Sequence, residues 1–180
     1  MVQKLKRIKR ELVQKGAIVN MYKDSIELPD GKVAEWDFIE HRKGAAAVLA
    51  VLPDGRILMV RQYRNALDRE TLEIPAGARD SVIEDTAICA KRELEEETGY
   101  ICGKIEKLLA LKSTVAFCNE FIDVYLATEL TEGVQHLDEE EFIDVEAWKL
   151  SDLCEKIYAG EIQDAKTVAA ILAYANKIKS

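Results

Sequence analysis

The sequence lacks any apolar run long enough to cross a membrane. Its longest uninterrupted run, Ala45 to Leu52, has eight residues, whereas a membrane-spanning helix needs roughly twenty. The basic N-terminus is followed by no apolar stretch of the kind that secretory signals carry. We therefore expect a cytoplasmic protein that is not associated with a membrane.

Paired cysteines and an excess of basic residues are also missing. The four cysteines are widely spaced without a Cys-x-x-Cys motif, so we predict reduced thiols and neither a zinc knuckle nor a redox pair. The chain has 25 basic residues against 33 acidic ones, a formal net charge of −8. This charge argues against nucleic acid as a partner. An anionic substrate would need a local positive charge, which a metal ion could supply.

The length of 180 residues is typical of one domain, or of one domain with an appendage. Residues 1–16 contain six bases and one acid, which leaves 19 bases and 32 acids in the rest. Leu5, Ile8 and Leu12 follow a helical spacing, so this segment is predicted to form an amphipathic helix or turn. A solvated lysine-rich terminus is favoured over an arm that binds nucleic acid or membrane.

Most of the remaining chain is predicted to form strands. Two hairpins are expected around the turns Pro29-Asp30-Gly31 and Pro53-Asp54-Gly55. The predicted strands cover residues 17–28, 32–41, 45–52, 57–61, 71–74, 105–112, 121–127 and 142–148. Helices are predicted over residues 84–98, where Gly99 is a suitable C-cap, from near Ser151, and from Asp164, which is a suitable N-cap. Mixed strands around a central helix indicate an α/β or α+β sandwich.

The central helix contains four carboxylates within five positions, in Arg92-Glu93-Leu94-Glu95-Glu96-Glu97. Like charges one turn apart destabilise a helix, so this pattern needs a reason. Glu93, Glu96 and Glu97 project to adjoining faces, and their oxygens are hard ligands of the kind that Mg²⁺ or Mn²⁺ prefers. Arg92 can orient a carboxylate through charged hydrogen bonds. The alternative is an acidic helix face that is merely solvated.

The segment from Gly77 to Tyr100, GARDSVIEDTAICAKRELEEETGY, resembles the Nudix box, Gly-x5-Glu-x7-Arg-Glu-U-x-Glu-Glu-x-Gly-U with U apolar. The match is complete from Glu84 onward if Tyr100 counts as U, but six residues instead of five separate Gly77 from Glu84. The resemblance implies an α/β fold, the Nudix α/β/α sandwich with a mixed sheet, here preceded by a small N-terminal β-rich segment. It also implies hydrolysis of a nucleoside diphosphate linked to another moiety.

The same resemblance implies roles for individual residues. Glu93, Glu96 and Glu97, with the Ala76 carbonyl, would ligate a divalent cation, Mg²⁺ or alternatively Mn²⁺. Arg92 would orient these carboxylates, so that Arg92 and Glu96 belong to the catalytic group. Gly77 and Glu84 would support the site from outside the metal ligands, although the extra residue leaves the placement of Glu84 relative to Gly77 open.

Segments beyond the box resemble the ADP-ribose pyrophosphatase branch of the family. They are Val60-Arg61-Gln62-Tyr63-Arg64, Leu72-Glu73-Ile74-Pro75-Ala76-Gly77 and Gly160-Glu161-Ile162-Gln163-Asp164-Ala165-Lys166-Thr167. The branch pattern implies that Arg64 contacts the substrate diphosphate, which suits a guanidinium. It also implies a homodimer in which Trp36 stacks on adenine, although ordinary packing of this ring is an equal alternative. His41 is expected at the surface, with an approach to the substrate as the alternative, and Glu120 is expected to touch the ribose or a metal.

An acidic loop is expected to supply the catalytic base. By resemblance to the branch this residue is Glu140, as the base or as an extra metal ligand, with Glu139 and Glu141 as close alternatives. We therefore predict hydrolysis of ADP-ribose to AMP and ribose 5-phosphate. Residues 1–43 would serve dimerisation and substrate contact, and residues 44–180 would form the Nudix hydrolase domain.

Two alternatives to this function remain open at the level of sequence. The loop of residues 112–120 lacks a proline that is common in the branch, so another nucleoside diphosphate sugar is an alternative substrate. A nucleotide-binding domain without catalytic activity is less favoured, because no glutamate of the core motif has been lost.

Overall fold

The structure is a computed structural model that describes residues 4–179. These residues form ten strands and three helices, and seven of the strands precede the first helix. The strands are β1 (Lys6–Lys15), β2 (Val19–Glu27), β3 (Val33–His41), β4 (Ala45–Val51), β5 (Ile57–Arg64), β6 (Arg69–Glu73), β7 (Ala76–Ala78), β8 (Tyr100–Lys112), β9 (Phe121–Glu132) and β10 (Ile143–Trp148). The helices are α1 (Thr86–Thr98), α2 (Leu150–Tyr158) and α3 (Ala165–Lys177).

The main sheet has seven strands and is mixed. Its central path runs β10-β5-β4-β9-β8, with β6 added to β5 and β7 added to β4. Strands β4 and β9 are parallel, whereas the other pairs of this sheet are antiparallel. The short strand β7 brings the Pro75-Ala76-Gly77 turn, which begins the box, against the centre of the sheet.

Helices cover both faces of this sheet, and β4 shows why. The side chains of a strand alternate between faces, and residues 45–51 are apolar throughout. Ala47, Leu49 and Val51 pack with α2 and α3 in one core, which includes Leu153 and Ile171. The intervening residues of β4 pack with α1 in a second core, which includes Cys89, Ala90 and Leu94. The predicted α/β/α sandwich with a mixed sheet is therefore confirmed.

The N-terminal residues form a separate antiparallel sheet in the order β1-β2-β3. The hairpin of β2 and β3 was predicted, but the amphipathic helix or turn predicted for residues 1–16 is wrong wherever the structure describes them. Here residues 6–15 form a strand, because β1 pairs with β2 along its length. Arg10 secures the pairing by donating two 2.6 Å hydrogen bonds to Asp24 and lying 3.8 Å from the centre of the Phe38 ring.

Several predicted elements have shifted ends, each for a local reason. Strand β8 begins at Tyr100 and β9 extends to Glu132, because the two remain paired beyond Gly103, which interrupts the apolar pattern of the sequence. Helix α1 begins at Thr86 rather than at Glu84, because the Asp85 carboxylate caps it.

The structure also shows the state of the cysteines and the length of the helices. The four cysteines are free thiols, as predicted. Among residues 4–179, no helix is long and apolar enough to cross a membrane.

Candidate active site

Three of the predicted metal ligands, Glu93, Glu96 and Glu97, lie on α1. The Asp85 carboxylate accepts a 2.8 Å hydrogen bond from the backbone N–H of Ala87 at the start of the helix. Gly99 ends it in the left-handed conformation at φ 74° and donates its N–H to the Glu95 carbonyl. Between these caps, Leu94 faces the core, whereas Glu93 and Glu97 are one turn apart and only 7% and 3% exposed.

Strand β7 faces these carboxylates at very close range. A Cβ atom added at Gly77 would lie 2.2 Å from the Glu93 carboxylate, so a side chain at this position would displace that carboxylate. The backbone N–H of Ala76 donates a 3.0 Å hydrogen bond to Glu97. Gly77 and Ala76 therefore lie directly against the helix carboxylates, and the Ala76 carbonyl as a metal ligand stays a prediction.

Arg92 organises what we call the acidic cluster, Glu84, Arg92, Glu93, Glu96 and Glu97. Its Nη1 donates to Glu93 and Glu96 at 2.8 Å each, and its Nε donates to Glu84 at 3.4 Å. The extra residue before Glu84 lies in an exposed turn, where the second Glu84 oxygen accepts a 2.6 Å hydrogen bond from the backbone N–H of Asp80. The insertion therefore leaves Glu84 in contact with Arg92.

The acidic cluster contains more negative charge than Arg92 can balance. Burial raises the pKa of Glu93 to about 7, although Arg92 opposes the shift. Burial and the neighbouring Glu93 raise the pKa of Glu97 to about 8. A buried carboxylate that lacks a positive partner is costly, and a divalent cation is one such partner.

The residues present fit a hard divalent cation in chemistry and burial. Two buried carboxylates adjoin a third, Glu96, which is partly exposed, and carboxylate oxygens suit Mg²⁺ or Mn²⁺. Within residues 4–179, however, no three acidic, histidine or cysteine side chains already converge at the spacing of a metal site. Arg92 instead holds the Glu93 and Glu96 carboxylates.

The acidic loop predicted to carry the base is attached to the C-terminal half of α1. Gln135 donates from its side chain to the Glu97 carbonyl at 2.7 Å, and the backbone N–H of His136 donates to the Glu96 carbonyl at 3.0 Å. Glu139, Glu140 and Glu141 all line a cavity of about 630 Å³ that also contains Arg64. Of the three, Glu141 acts electrostatically on both Glu93 and Glu97.

A second cavity of about 630 Å³ extends from Ala76 and Gly77. This volume is in the range of small-molecule sites. Arg64 and Glu120, both predicted to bind substrate, line it together with His41. The expectation that His41 is a surface residue is wrong: its side chain is 11% exposed and its Nδ1 accepts a 3.1 Å hydrogen bond from the Gly44 N–H. Its Nε2 lies 3.7 Å from Glu120.

One wall of this cavity carries the paired network, by which we mean Arg64, Glu73, Asp164 and Lys166. Glu73 accepts hydrogen bonds of 2.7 and 2.6 Å from Arg64, and it also accepts one from Lys166. Burial alone would raise the pKa of Glu73, but Arg64 and Lys166 lower it to about 2. Of these four residues, the sequence interpretation assigned a role in substrate binding only to Arg64, and it predicted Asp164 as a helix cap.

Trp36 does not line either of these cavities. Its side chain lies on β3, is 49% exposed, and borders a separate groove with Ile39 and Phe117. Within the described part of a single chain, Trp36 is therefore not brought together with Arg64 and Glu120. Its role as an adenine-stacking residue stays a prediction that depends on a second subunit.

Comparison with known proteins agrees with this geometry. Residues 41–171 match the family described as the NUDIX domain. The chain belongs to the Nudix family. This Nudix hydrolase is 40% identical over 168 residues to a protein of Bacillus subtilis (strain 168) named ADP-ribose pyrophosphatase, a match covering 92% of this chain and 90% of the relative.

A second relative of this Nudix hydrolase has a different name. The "methanol dehydrogenase activator" of Bacillus methanolicus is 39% identical over 168 residues, with the same coverage of 92% and 90%. Among solved structures, one described as the crystal structure of an ADP compounds hydrolase has a TM-score of 0.89 and covers 99% of this chain and 96% of that chain. The two sequences are only 19% identical, so this match shows a shared fold alone.

Proposed function

We propose that this Nudix hydrolase cleaves the diphosphate of ADP-ribose to AMP and ribose 5-phosphate, with Mg²⁺, or alternatively Mn²⁺, as its cation. The observation that carries the proposal is the position of the buried, undercompensated Glu93 and Glu97 beside a cavity that presents Arg64. The name of the Bacillus subtilis relative supports ADP-ribose as the substrate.

Each residue of the acidic cluster has a role in this proposal. Glu93 and Glu97, with Glu96 and the Ala76 carbonyl, would hold the cation, and Arg92 keeps Glu93 and Glu96 oriented. When bound, the cation supplies Lewis-acid chemistry, neutralising phosphate charge and polarising the phosphoryl oxygens. Arg64 binds phosphate oxygens through the N–H groups that Glu73 leaves free.

Hydrolysis joins the oxygen of a water molecule to one phosphorus and breaks the bond from that phosphorus to the bridging oxygen. Glu140 accepts the proton of the attacking water, and the released phosphate keeps the bridging oxygen. Glu139 and Glu141 are the alternatives for this role, and the electrostatic effect of Glu141 on Glu93 and Glu97 supports its candidacy. Glu120, whose carboxylate lies 3.7 Å from the His41 Nε2, would accept a hydrogen bond from a ribose hydroxyl or contact the metal.

The active form in this proposal is a cytoplasmic homodimer. Residues 1–43 would pair with a second subunit, and residues 44–180 would form the hydrolase domain. The large exposed side chains of the N-terminal sheet support this arrangement, since Leu12, Val13, Val33 and Trp36 are each about half exposed. Light scattering of the purified protein measures its mass, and a monomer would contradict the proposal.

A substrate panel tests the proposed reaction. With Mg²⁺, release of AMP from ADP-ribose should exceed nucleotide release from other nucleoside diphosphate sugars. Stronger cleavage of a different sugar nucleotide would replace ADP-ribose as the substrate. Tight binding of ADP-ribose without turnover in Mg²⁺ or Mn²⁺ would instead indicate a non-catalytic nucleotide-binding domain. Single Gln substitutions of Glu139, Glu140 and Glu141 identify the base as the residue whose loss lowers turnover most.

A second candidate function is stimulation of an alcohol-oxidising enzyme, which the 39% identity to the Bacillus methanolicus activator favours. Addition of this protein to purified methanol dehydrogenase tests the candidate directly. A rise in dehydrogenase rate with the wild type would support it. No rise, in an assay where the Bacillus methanolicus activator itself does stimulate, would remove this candidate.

A further inference from the structure

The paired network places four charged side chains on one wall of the cavity, and two of them are almost completely buried. Glu73 is 2% exposed and Lys166 is 8% exposed. Two cations and two carboxylates balance one another, so the network carries no net charge. Burying charged groups in this way costs stability unless each is paired, so their position at a ligand cavity needs an explanation.

Glu73 fixes the Arg64 guanidinium along one edge. Nε and Nη2 of Arg64 donate to the two Glu73 oxygens at 2.7 and 2.6 Å. These bonds use two of the five guanidinium N–H groups, which leaves both N–H groups of Nη1 and one of Nη2 for other partners. The Arg64 side chain remains 40% exposed at the cavity. A guanidinium held in this way loses less conformational freedom when it binds an anion.

Lys166 connects this pair to the start of α3. Its Nζ donates to Glu73 and to Asp164, and Asp164 caps α3 by accepting from the Thr167 N–H at 3.0 Å. Thr167 in turn accepts a 3.0 Å hydrogen bond from the Ile74 N–H, next to Glu73 in the chain. The orientation of Arg64 is thus connected through buried bonds to a helix end and to the core.

We propose that Glu73 and Lys166 are positioning residues that hold the Arg64 guanidinium in the orientation that receives the substrate diphosphate. This inference rests on the proposed function, because it needs an anionic substrate in the cavity. The rival explanation is that the paired network only stabilises the fold. The two explanations differ in what they predict for substrate affinity in variants that remain folded.

The experiment compares Glu73→Gln with a matched control, Glu146→Gln. Glu146 of β10 accepts a 2.5 Å hydrogen bond from Arg61, which lies on β5 as Arg64 does. Within the described chain, neither Glu146 nor Arg61 lines the cavity. With Mg²⁺ and ADP-ribose, Glu73→Gln should raise KM about 10-fold or more and change kcat less, because a charged bidentate contact loses its fixed geometry. Glu146→Gln should leave KM unchanged.

Lys166 is tested by a pair of substitutions. Lys166→Met removes the charge that holds Glu73 and should raise KM, whereas Lys166→Arg keeps a donor and should restore part of the affinity. A double-mutant cycle with Arg64→Gln gives the decisive readout. If Glu73 acts through Arg64, adding Glu73→Gln to Arg64→Gln should cost no further affinity.

A milder variant, Thr71→Val, serves as the test if Glu73→Gln fails to fold. Thr71 donates a 2.6 Å hydrogen bond to Glu73, so Thr71→Val should raise KM only about 2- to 3-fold, because Arg64 and Lys166 still hold the carboxylate. Full-length variants are compared by circular dichroism and by ADP-ribose binding in the Glu97→Gln background.

The outcomes separate this inference from the function on which it rests. An active wild type whose folded Glu73→Gln and Thr71→Val variants keep the wild-type KM overturns the positioning role alone. Additive losses in the double-mutant cycle also overturn it, since Glu73 would then not act through Arg64. A wild type that does not hydrolyse ADP-ribose overturns the proposed function.

Discussion

The acidic cluster and the paired network are built from the same kind of residue, a buried glutamate, with opposite electrostatic results. Burial and nearby acids raise the pKa of Glu97 to about 8, while two cations lower the pKa of Glu73 to about 2. The difference lies in the partners, because both side chains are almost completely buried. Among residues 4–179 no basic side chain hydrogen-bonds Glu97, whereas Arg64 and Lys166 both donate to Glu73, so the proposed metal ion is expected at the acidic cluster.

The largest expected effect comes from replacing the least compensated carboxylate. Glu97→Gln should lower turnover of ADP-ribose by about 100-fold or more, the scale seen when a group that stabilises transition-state charge is lost. The amide can still accept the Ala76 N–H, so the fold should be kept. Steady-state kinetics with circular dichroism of the same samples measure both. Full turnover in a folded variant would show that Glu97 is not a metal ligand.

The paired network should show its balance as a dependence of stability on pH. The folded pKa of Glu73, about 2, lies below its ordinary value of 4.5. Its charge therefore stabilises the fold above pH 4.5, and this contribution is lost as the pH falls toward 2. A shift of this size corresponds to roughly 3 kcal/mol. Urea unfolding of wild type and Glu73→Gln at pH 7, 4 and 3 measures it, and the two unfolding energies should converge at low pH. Parallel curves would contradict the assignment.

Mg²⁺ binding is the third property in which the acidic cluster and the paired network should differ. Mg²⁺ should stabilise the wild type, by about 2.7 kcal/mol at a concentration 100 times its Kd. The gain should shrink in Glu97→Gln and persist in Glu73→Gln, because only the acidic cluster would bind the ion. Thermal unfolding with Mg²⁺ or with a chelator measures these shifts. Equal shifts in all three proteins would mean that the ion binds elsewhere.

The sequence predicted the acidic cluster better than it predicted the paired network. Residues of the cluster lie within one helix at fixed spacing, so the positions of Glu93, Glu96 and Glu97 follow from the helical repeat once α1 is recognised. The network instead joins β6 to the start of α3, since Glu73 and Lys166 are 93 positions apart in the chain. No local spacing encodes such a contact. A signal did exist, since Glu73 lies between Leu72 and Ile74 in an otherwise apolar segment.

The difference between local spacing and long-range pairing also explains why the helix or turn predicted for residues 1–16 was wrong. Leu5, Ile8 and Leu12 have a helical spacing, but β1 gains its hydrogen bonds from β2, and Arg10 finds its partners Asp24 and Phe38 on two other strands. Pairing between strands overrode the local pattern. By contrast the hairpin turns, the Gly99 cap and the Asp164 cap are local in sequence, and the structure confirms them.

The smallest expected effect concerns the ion pair that is neither buried nor beside the cavity. Arg61 and Glu146 are 34% and 28% exposed, and water screens their attraction. Glu146→Gln should change the free energy of unfolding by only about 1 kcal/mol, because solvent screens a partly exposed pair more than a buried one. Chemical unfolding at pH 7 measures it beside Glu73→Gln, which leaves the buried Lys166 and the partly exposed Arg64 with one carboxylate and should cost about 3 kcal/mol. Equal losses would mean that burial and position at the cavity do not distinguish the two pairs of strand β5.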